Sequence, residues 1–266
     1  MRIVILEWKN GPSVNTSQLV RQSLATEAAP TGRMRGALFG AAGALVIFGL
    51  VAFLLVLSGV PDSQGLASFD EPVRAWLVEN RTESLTFALT VVAEVTGPIG
   101  MPIFVGVFCV VWIWRSRQPW GPLVLAFAMI TGMSLALSIA SLVGRPRPPA
   151  ELMLLVVDPS FSFPSGHVLG VSDFILVTGF LVCSRNWSWP RGVVTVVVAI
   201  VGIGLVALSR LYLGYHWLTD VTASVSLSLC VLGLAIALDT WRPFGGRGSP
   251  AVRGEQTVAQ GGPPAS

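Results

Sequence analysis

Long apolar runs, each closed by a short polar stretch, repeat along this chain from residue 37 to residue 239. The run Ala37–Val60 carries no charged side chain. It exceeds the roughly 18 residues that a helix needs to cross a bilayer. Four further runs lie near 121–144, 166–184, 191–209 and 217–239. Between them the pattern is less regular. Residues 61–83 are polar, but Phe69, Val73, Trp76 and Leu77 recur at helical spacing, which suits either a short helix in the membrane interface or an ordinary surface helix. The stretch 84–114 is broken by Gly97-Pro98-Ile99-Gly100-Met101-Pro102. Its spanning part is expected over 98–114, with 84–96 a preceding interfacial or tilted piece. The pattern therefore predicts an all-α integral-membrane bundle of six transmembrane helices over residues 36–240. Residues 1–35 are expected to be a poorly ordered cytoplasmic tail, and 241–266, rich in Gly, Pro, Ala and Ser, a disordered one. The first run begins too far from the terminus, and is too long, for a cleaved signal peptide.

Composition sharpens this reading. Of the 266 residues, 53% are hydrophobic and only 12% charged, about half the charged share of a soluble domain. The net charge of +3 does not point to nucleic acid, because the basic residues stand in ones and twos between apolar runs. They report topology instead. With both termini inside, twelve of the 17 basic residues fall there, and only Arg74, Arg81, Arg145, Arg147 and Arg210 fall outside. The positive-inside rule favours that orientation. Trp112, Trp114, Trp120, Trp187, Trp189 and Trp241 then flank the inner ends, at the depth where aromatic side chains anchor. Cys109, Cys183 and Cys230 lie inside apolar runs without metal-ligand spacing and read as packing residues.

The candidate chemistry sits at the outer helix ends. The two histidines of the chain, His167 and His216, both fall there. His167 closes Ser162-Phe163-Pro164-Ser165-Gly166-His167, where Ser165 can cap the fourth span. The free N–H groups of a helix start suit a phosphate. His216 and Asp220 are four apart and share a face if both are helical. A carboxylate on one imidazole nitrogen leaves the other as a nucleophile. A third piece, Gly144-Arg145-Pro146-Arg147-Pro148, closes the third span on the same face.

These residues resemble the type 2 phosphatidic acid phosphatase superfamily, whose site is shared with vanadium haloperoxidases. That family carries Lys-x6-Arg-Pro, Pro-Ser-Gly-His and Ser-Arg-x5-His-x3-Asp. The second stands here as Pro164–His167, and the third as Ser209, Arg210, His216 and Asp220. The first is half present: Arg147-Pro148 matches, but Ala140 occupies the lysine position. The resemblance implies that His216 attacks phosphorus and forms a phospho-histidine, with Asp220 orienting its ring. His167 would protonate the leaving oxygen and later activate water. Arg147, Arg210, Ser165 and Gly166 would hold the phosphoryl oxygens. With guanidinium groups supplying the positive charge, no metal and no cofactor are expected. Arg145 either replaces the missing lysine as a substrate-binding charge or faces headgroups.

The function so implied is a metal-independent phosphatase acting on a phosphate or pyrophosphate monoester of a lipid. Polyprenyl diphosphate, phosphatidic acid and phosphatidylglycerol phosphate are the candidates. The expected partners are that lipid substrate and the surrounding membrane lipids, with no nucleic acid. The location is a plasma membrane, with the site facing outside. A lipid phosphotransferase of the same chemistry, or a scaffold with a degenerate site, are the alternatives. Other residues stay open. Asp173, inside the fourth span, is either functional or a bundle-facing structural group, and Asp239 is expected to be solvated. The apolar part of the loop Glu151–Phe163 either dips into the outer leaflet or packs on the bundle.

Overall fold

The computed structural model describes residues 32–185 and 187–242, so of the tails expected over 1–35 and 241–266 the parts 1–31 and 243–266 lie outside the described residues, while Trp241 is the last residue of a helix. Among the described residues every regular element is helical. They are α1 (Gly32–Gly59), α2 (Asp70–Glu79), α3 (Glu83–Val95), α4 (Gly100–Ser116), α5 (Trp120–Val143), α6 (Gly166–Arg185), α7 (Trp189–Tyr212) and α8 (Leu218–Trp241). Short 3₁₀ turns occupy Gly65–Phe69 and Ala150–Leu152. Five helices are long and apolar enough to cross a membrane, and a sixth span results if α3 and α4 act as one, bent by 58°. The chain is a multi-pass membrane protein. Helix α1 begins at Gly32, so residues 32–35 are helical where a tail was expected.

The bend has a local cause. The chain is interrupted at residues 96–99, where Pro98 supplies no N–H for helical hydrogen bonding. Helix α2 forms where the apolar spacing foretold, but its face is divided. Leu77 is buried with Leu89, Tyr212 and Leu213, whereas Trp76 stays exposed, as does Phe69 in the 3₁₀ turn just before the helix.

Helix α8 is the centre of the bundle: 61% of its most apolar stretch is buried, against 11% for α7 and 22% for α1. Small residues let α1 and α8 approach closely. A Cβ on Gly49 would stand 2.5 Å from Ser226 O, and one on Gly233 would stand 2.7 Å from Ala42 O. Such contacts suit helices in lipid, where association rests on close packing rather than on the hydrophobic effect. Above this seam Phe53 and Val56 meet Ala223, Leu227, Phe163 and Leu169. A second cluster joins Val124, Leu125 and Ala128 of α5 to Val177 and Leu181 of α6 and Val231 and Ala235 of α8. Valines 193, 194, 197 and 198 of α7 are exposed, as a lipid-facing surface requires.

At one end of the bundle, Asp239 accepts hydrogen bonds from Trp120 Nε1 (2.8 Å) and an Arg185 guanidinium N–H (3.0 Å). The carboxylate expected to be solvated instead fastens three helices. Asp173 is 1% exposed on α6 and faces Gly132 of α5, the bundle-facing position that was one of its two readings.

Candidate active site

All three chemistry-bearing segments meet at the other end of the bundle. The end of α5, the start of α6, the end of α7 and the start of α8 deliver them. Gly144 stops α5 in the left-handed region (φ 61°), its N–H donating to Ala140 O. The chain then runs through Arg145-Pro146-Arg147-Pro148 across the bundle end.

His216 and Asp220 do touch, though not as neighbours on one helix face. His216 lies in the turn before α8, and Asp220 sits in the first turn of that helix. The Asp220 Oδ2 accepts the Trp217 N–H (2.8 Å), which swings the carboxylate back over the helix start to within 3.3 Å of His216 Nδ1. The same Nδ1 lies 2.8 Å from Ser162 O. A carbonyl only accepts, so Nδ1 carries the proton and Nε2 keeps its lone pair. An Arg147 guanidinium N–H points at that Nε2 from 3.1 Å. Burial pushes His216 down to about 4; Asp220 opposes the shift, and Arg147 and Arg210 reinforce it. The imidazole is therefore neutral at ordinary pH, the state a nucleophile requires.

Arg147 is held from several directions. It donates to Tyr215 O (2.8 Å), to Ser160 O (3.1 Å) and to Ser160 Oγ (2.9 Å), and it pairs with Asp158 at 2.8 Å. Arg210 is 5% exposed and stacks over the Tyr215 ring at 4.4 Å. Its Nε and the hydroxyl of Ser165 are buried without a hydrogen-bond partner among the described residues. Ser165 was expected to cap α6 with that hydroxyl. Instead its carbonyl accepts from Leu169 N–H and Ser224 Oγ, while Oγ stays uncommitted. His167 and Gly166 open α6 beside it.

Arg145 stands apart from this group. Its guanidinium donates to Asp70 Oδ2, Thr219 Oγ1 and Asp220 Oδ1, each at 2.6 Å. Neither of its expected positions matches: it is bound neither towards a substrate nor towards headgroups, but behind Asp220. The half-buried Ala140 therefore has no substitute there for the charge that the pattern lacks.

A cavity of about 830 Å³ opens from His167, Arg147 and His216 and runs between α4, α5 and α6. Its wall includes Met101, Val105, Met129, Met133, Leu137 and Ala140. From Ala140 to Ala126 along α5 it extends about 21 Å at 1.5 Å per residue. A second opening of about 410 Å³, between the 96–99 break and the loop at 155–159, reaches His167 and Arg210 from the side. That loop packs on the bundle. Leu154 N–H donates to Leu213 O (3.1 Å), and Tyr215 Oη donates to Val156 O (2.8 Å), while Val156 and Val157 remain exposed.

Several participants gave no signal in the sequence. Ser162 acts through a backbone carbonyl, which no side-chain pattern reveals. Asp158 follows the apolar run 152–157 and Asp70 opens α2, neither at a motif spacing. Among the described residues no three His, Cys, Asp or Glu side chains gather as a metal site.

The PAP2 superfamily matches residues 121–243, a stretch that contains every motif residue named above. Over 197 residues the chain is 27% identical to phosphatidylglycerophosphatase B of Bacillus subtilis (strain 168), covering 71% of this chain and 93% of the relative. An undecaprenyl-diphosphatase of Sulfolobus acidocaldarius is 34% identical over 84 residues, which is 32% of this chain and 36% of its own length. Among solved structures, a transmembrane PAP2 type phosphatidylglycerolphosphate phosphatase from Bacillus subtilis superposes with a TM-score of 0.64 at 25% identity. That match covers 74% of this chain and 98% of the other.

Proposed function

We propose, from the premise that the chain belongs to the PAP2 superfamily, that it hydrolyses the phosphate monoester or diphosphate of a membrane lipid through a phospho-histidine. The observation that carries this reading is the continuity of the His167–Arg147–His216 cluster with a long apolar cavity. One compartment then takes both the phosphoryl group and the hydrocarbon body of a lipid.

In the first step His216 Nε2 attacks phosphorus, and the bond from phosphorus to the leaving oxygen breaks. His167 gives its proton to that oxygen. The Nδ1–H keeps its hold on Asp220 and Ser162, so the positive charge that develops on the ring meets a carboxylate. Arg147 and Arg210, with the Ser165 hydroxyl and the Gly166 N–H, hold the phosphoryl oxygens. In the second step His167 takes a proton from water, which attacks the phospho-histidine and frees phosphate. Guanidinium groups supply the charge stabilisation, so the reaction needs no metal ion. The named activities of the relatives suggest phosphatidylglycerol phosphate and a polyprenyl diphosphate as first substrates to assay. The distribution of basic residues favours a site facing outward from a plasma membrane.

The test is phosphate release by purified protein from those lipids and from phosphatidic acid, with EDTA present. Release that persists in EDTA and vanishes in His216→Ala is the expected result. Loss in EDTA with recovery on adding a divalent cation would sink the metal-free step. Lipid binding without any release would favour a scaffold, and phosphate transfer to an added alcohol in preference to water would favour a transferase.

A further inference from the structure

A second set of ionic contacts lies behind the nucleophile and takes no part in holding phosphate. Asp70, the first residue of α2, is 5% exposed although it is a carboxylate at the bundle end. It accepts hydrogen bonds from the Arg145 guanidinium (2.6 Å), from Thr219 N–H (2.9 Å) and from Thr219 Oγ1 (2.7 Å). Arg145 then continues to Asp220 Oδ1 at 2.6 Å, its guanidinium 5.5 Å from the Trp217 ring centre. The two oxygens of Asp220 are thereby divided. Oδ1 belongs to Arg145, and Oδ2 is left for Trp217 N–H and His216 Nδ1. None of Asp70, Arg145 or Thr219 lines the cavity beside the histidines.

We infer that Asp70 and Arg145 are positioning residues for the reaction proposed above, on which this inference rests: together they fix the rotation of Asp220 and preserve its negative charge for His216. The rotation follows from geometry, since a carboxylate gripped at Oδ1 presents Oδ2 in one direction. The charge follows from counting. Arg145 paired with Asp220 alone would cancel the carboxylate that faces the imidazole. With Asp70 as a second claimant, one guanidinium serves two carboxylates, and the trio keeps one net negative charge beside the ring. That charge is most useful when His216 becomes positive on attacking phosphorus. Asp70 therefore acts on the chemical step and leaves substrate binding untouched.

A purely structural clasp between α2 and α8 would use the same contacts, so the test must separate the two roles. Wild type, His216→Ala, Asp70→Asn and the double variant Asp70→Asn/Arg145→Gln are purified. Turnover of dioctanoyl phosphatidic acid and inhibition by orthovanadate are measured for each. For Asp70→Asn, kcat is expected to fall about ten- to a hundredfold, the range known for residues that orient metal-ligating histidines from behind, taken here as the analogous case. KM and the vanadate inhibition constant should stay within about threefold, because the phosphate contacts are intact. The double variant removes both charges and returns Asp220 to a single negative charge, so its kcat should exceed that of Asp70→Asn. A kcat for Asp70→Asn within threefold of wild type overturns the proposal, as does a double variant no faster than the single. A parallel loss of kcat, KM and vanadate binding also overturns it, because that pattern marks a collapsed site. If Asp70→Asn yields no folded protein, Arg145→Lys is measured in the same way, since a point charge cannot bridge both carboxylates. An unchanged kcat there is equally fatal. A wild-type chain that releases no phosphate removes the reading beneath, and this inference with it.

Discussion

Replacing Ala140 with lysine should make the protein a faster phosphatase. Ala140 lines the cavity that contains His167, Arg147 and His216, near the end of α5. The nearby Arg145 does not make up the charge, because Asp70, Thr219 and Asp220 hold its guanidinium. A charged donor preorganised at a phosphoryl transition state contributes about 3–4 kcal/mol. Against that stands repulsion from Arg147. For a separation taken as about 8 Å, and an effective dielectric constant near 20, two like charges cost about 2 kcal/mol. The Asp158 carboxylate, 2.8 Å from the Arg147 guanidinium, reduces that cost. About 1–2 kcal/mol should survive, which is roughly a five- to thirtyfold gain in kcat/KM. The assay compares Ala140→Lys with Ala140→Met, of similar length and no charge, on one lipid phosphate in detergent micelles at fixed ionic strength. A lysine variant no faster than the methionine variant would refute the reasoning, since the site would then lack no charge.

Other outcomes are expected from the same geometry. His216 falls from 6.5 to about 4 through burial, so its protonation should leave kcat/KM flat from pH 5 upward and cut it only near pH 4. An acid limb near 6.5 that His216 alone accounts for would contradict this. The same depression means that the unfolded chain binds the extra proton between those values. Stability should therefore be complete above pH 6.5 and decline by about 3 kcal/mol as pH falls to 4, a slope that His216→Gln should flatten in thermal melts. Arg147→Lys should lose most activity, because an ammonium cannot reach Tyr215 O, Ser160 and a phosphoryl oxygen together; activity within threefold of wild type would count against the proposed contact. Tyr212→Phe should lower stability by about 1–3 kcal/mol, as Tyr212 Oη both accepts from Thr82 N–H and donates to Thr82 O, with turnover per folded molecule unchanged.

The helices were legible because an uncharged run of some twenty residues has few other ways to exist, and each observed span starts and stops within a few residues of its apolar run. The bend between α3 and α4 was legible from Gly97-Pro98. The pairing of His216 with Asp220 was foreseen on the wrong ground: four-residue spacing suggested a helix face, whereas a returning carboxylate at a helix start makes the contact. Arg145 was misread because its partner Asp70 lies 75 residues away, in a segment whose apolar spacing drew attention to other positions. Asp239 was misread for the same reason. A carboxylate at the end of an apolar run looks solvated until the helices bearing Trp120 and Arg185 are brought beside it.

The seam between α1 and α8 joins the first and last described helices. During synthesis α1 enters the bilayer early, and its Gly49 groove waits until nearly all the intervening chain has been made. His216, at the entry to α8, and Asp220, in its first turn, arrive with that same late helix. On the proposed mechanism, a ribosome stalled anywhere before residue 216 would leave an inserted but inert protein, and hydrolytic competence would await the closure of α8 on α1. A nascent chain halted before α8 should release no phosphate from lipid, however many of its earlier helices have already entered the membrane.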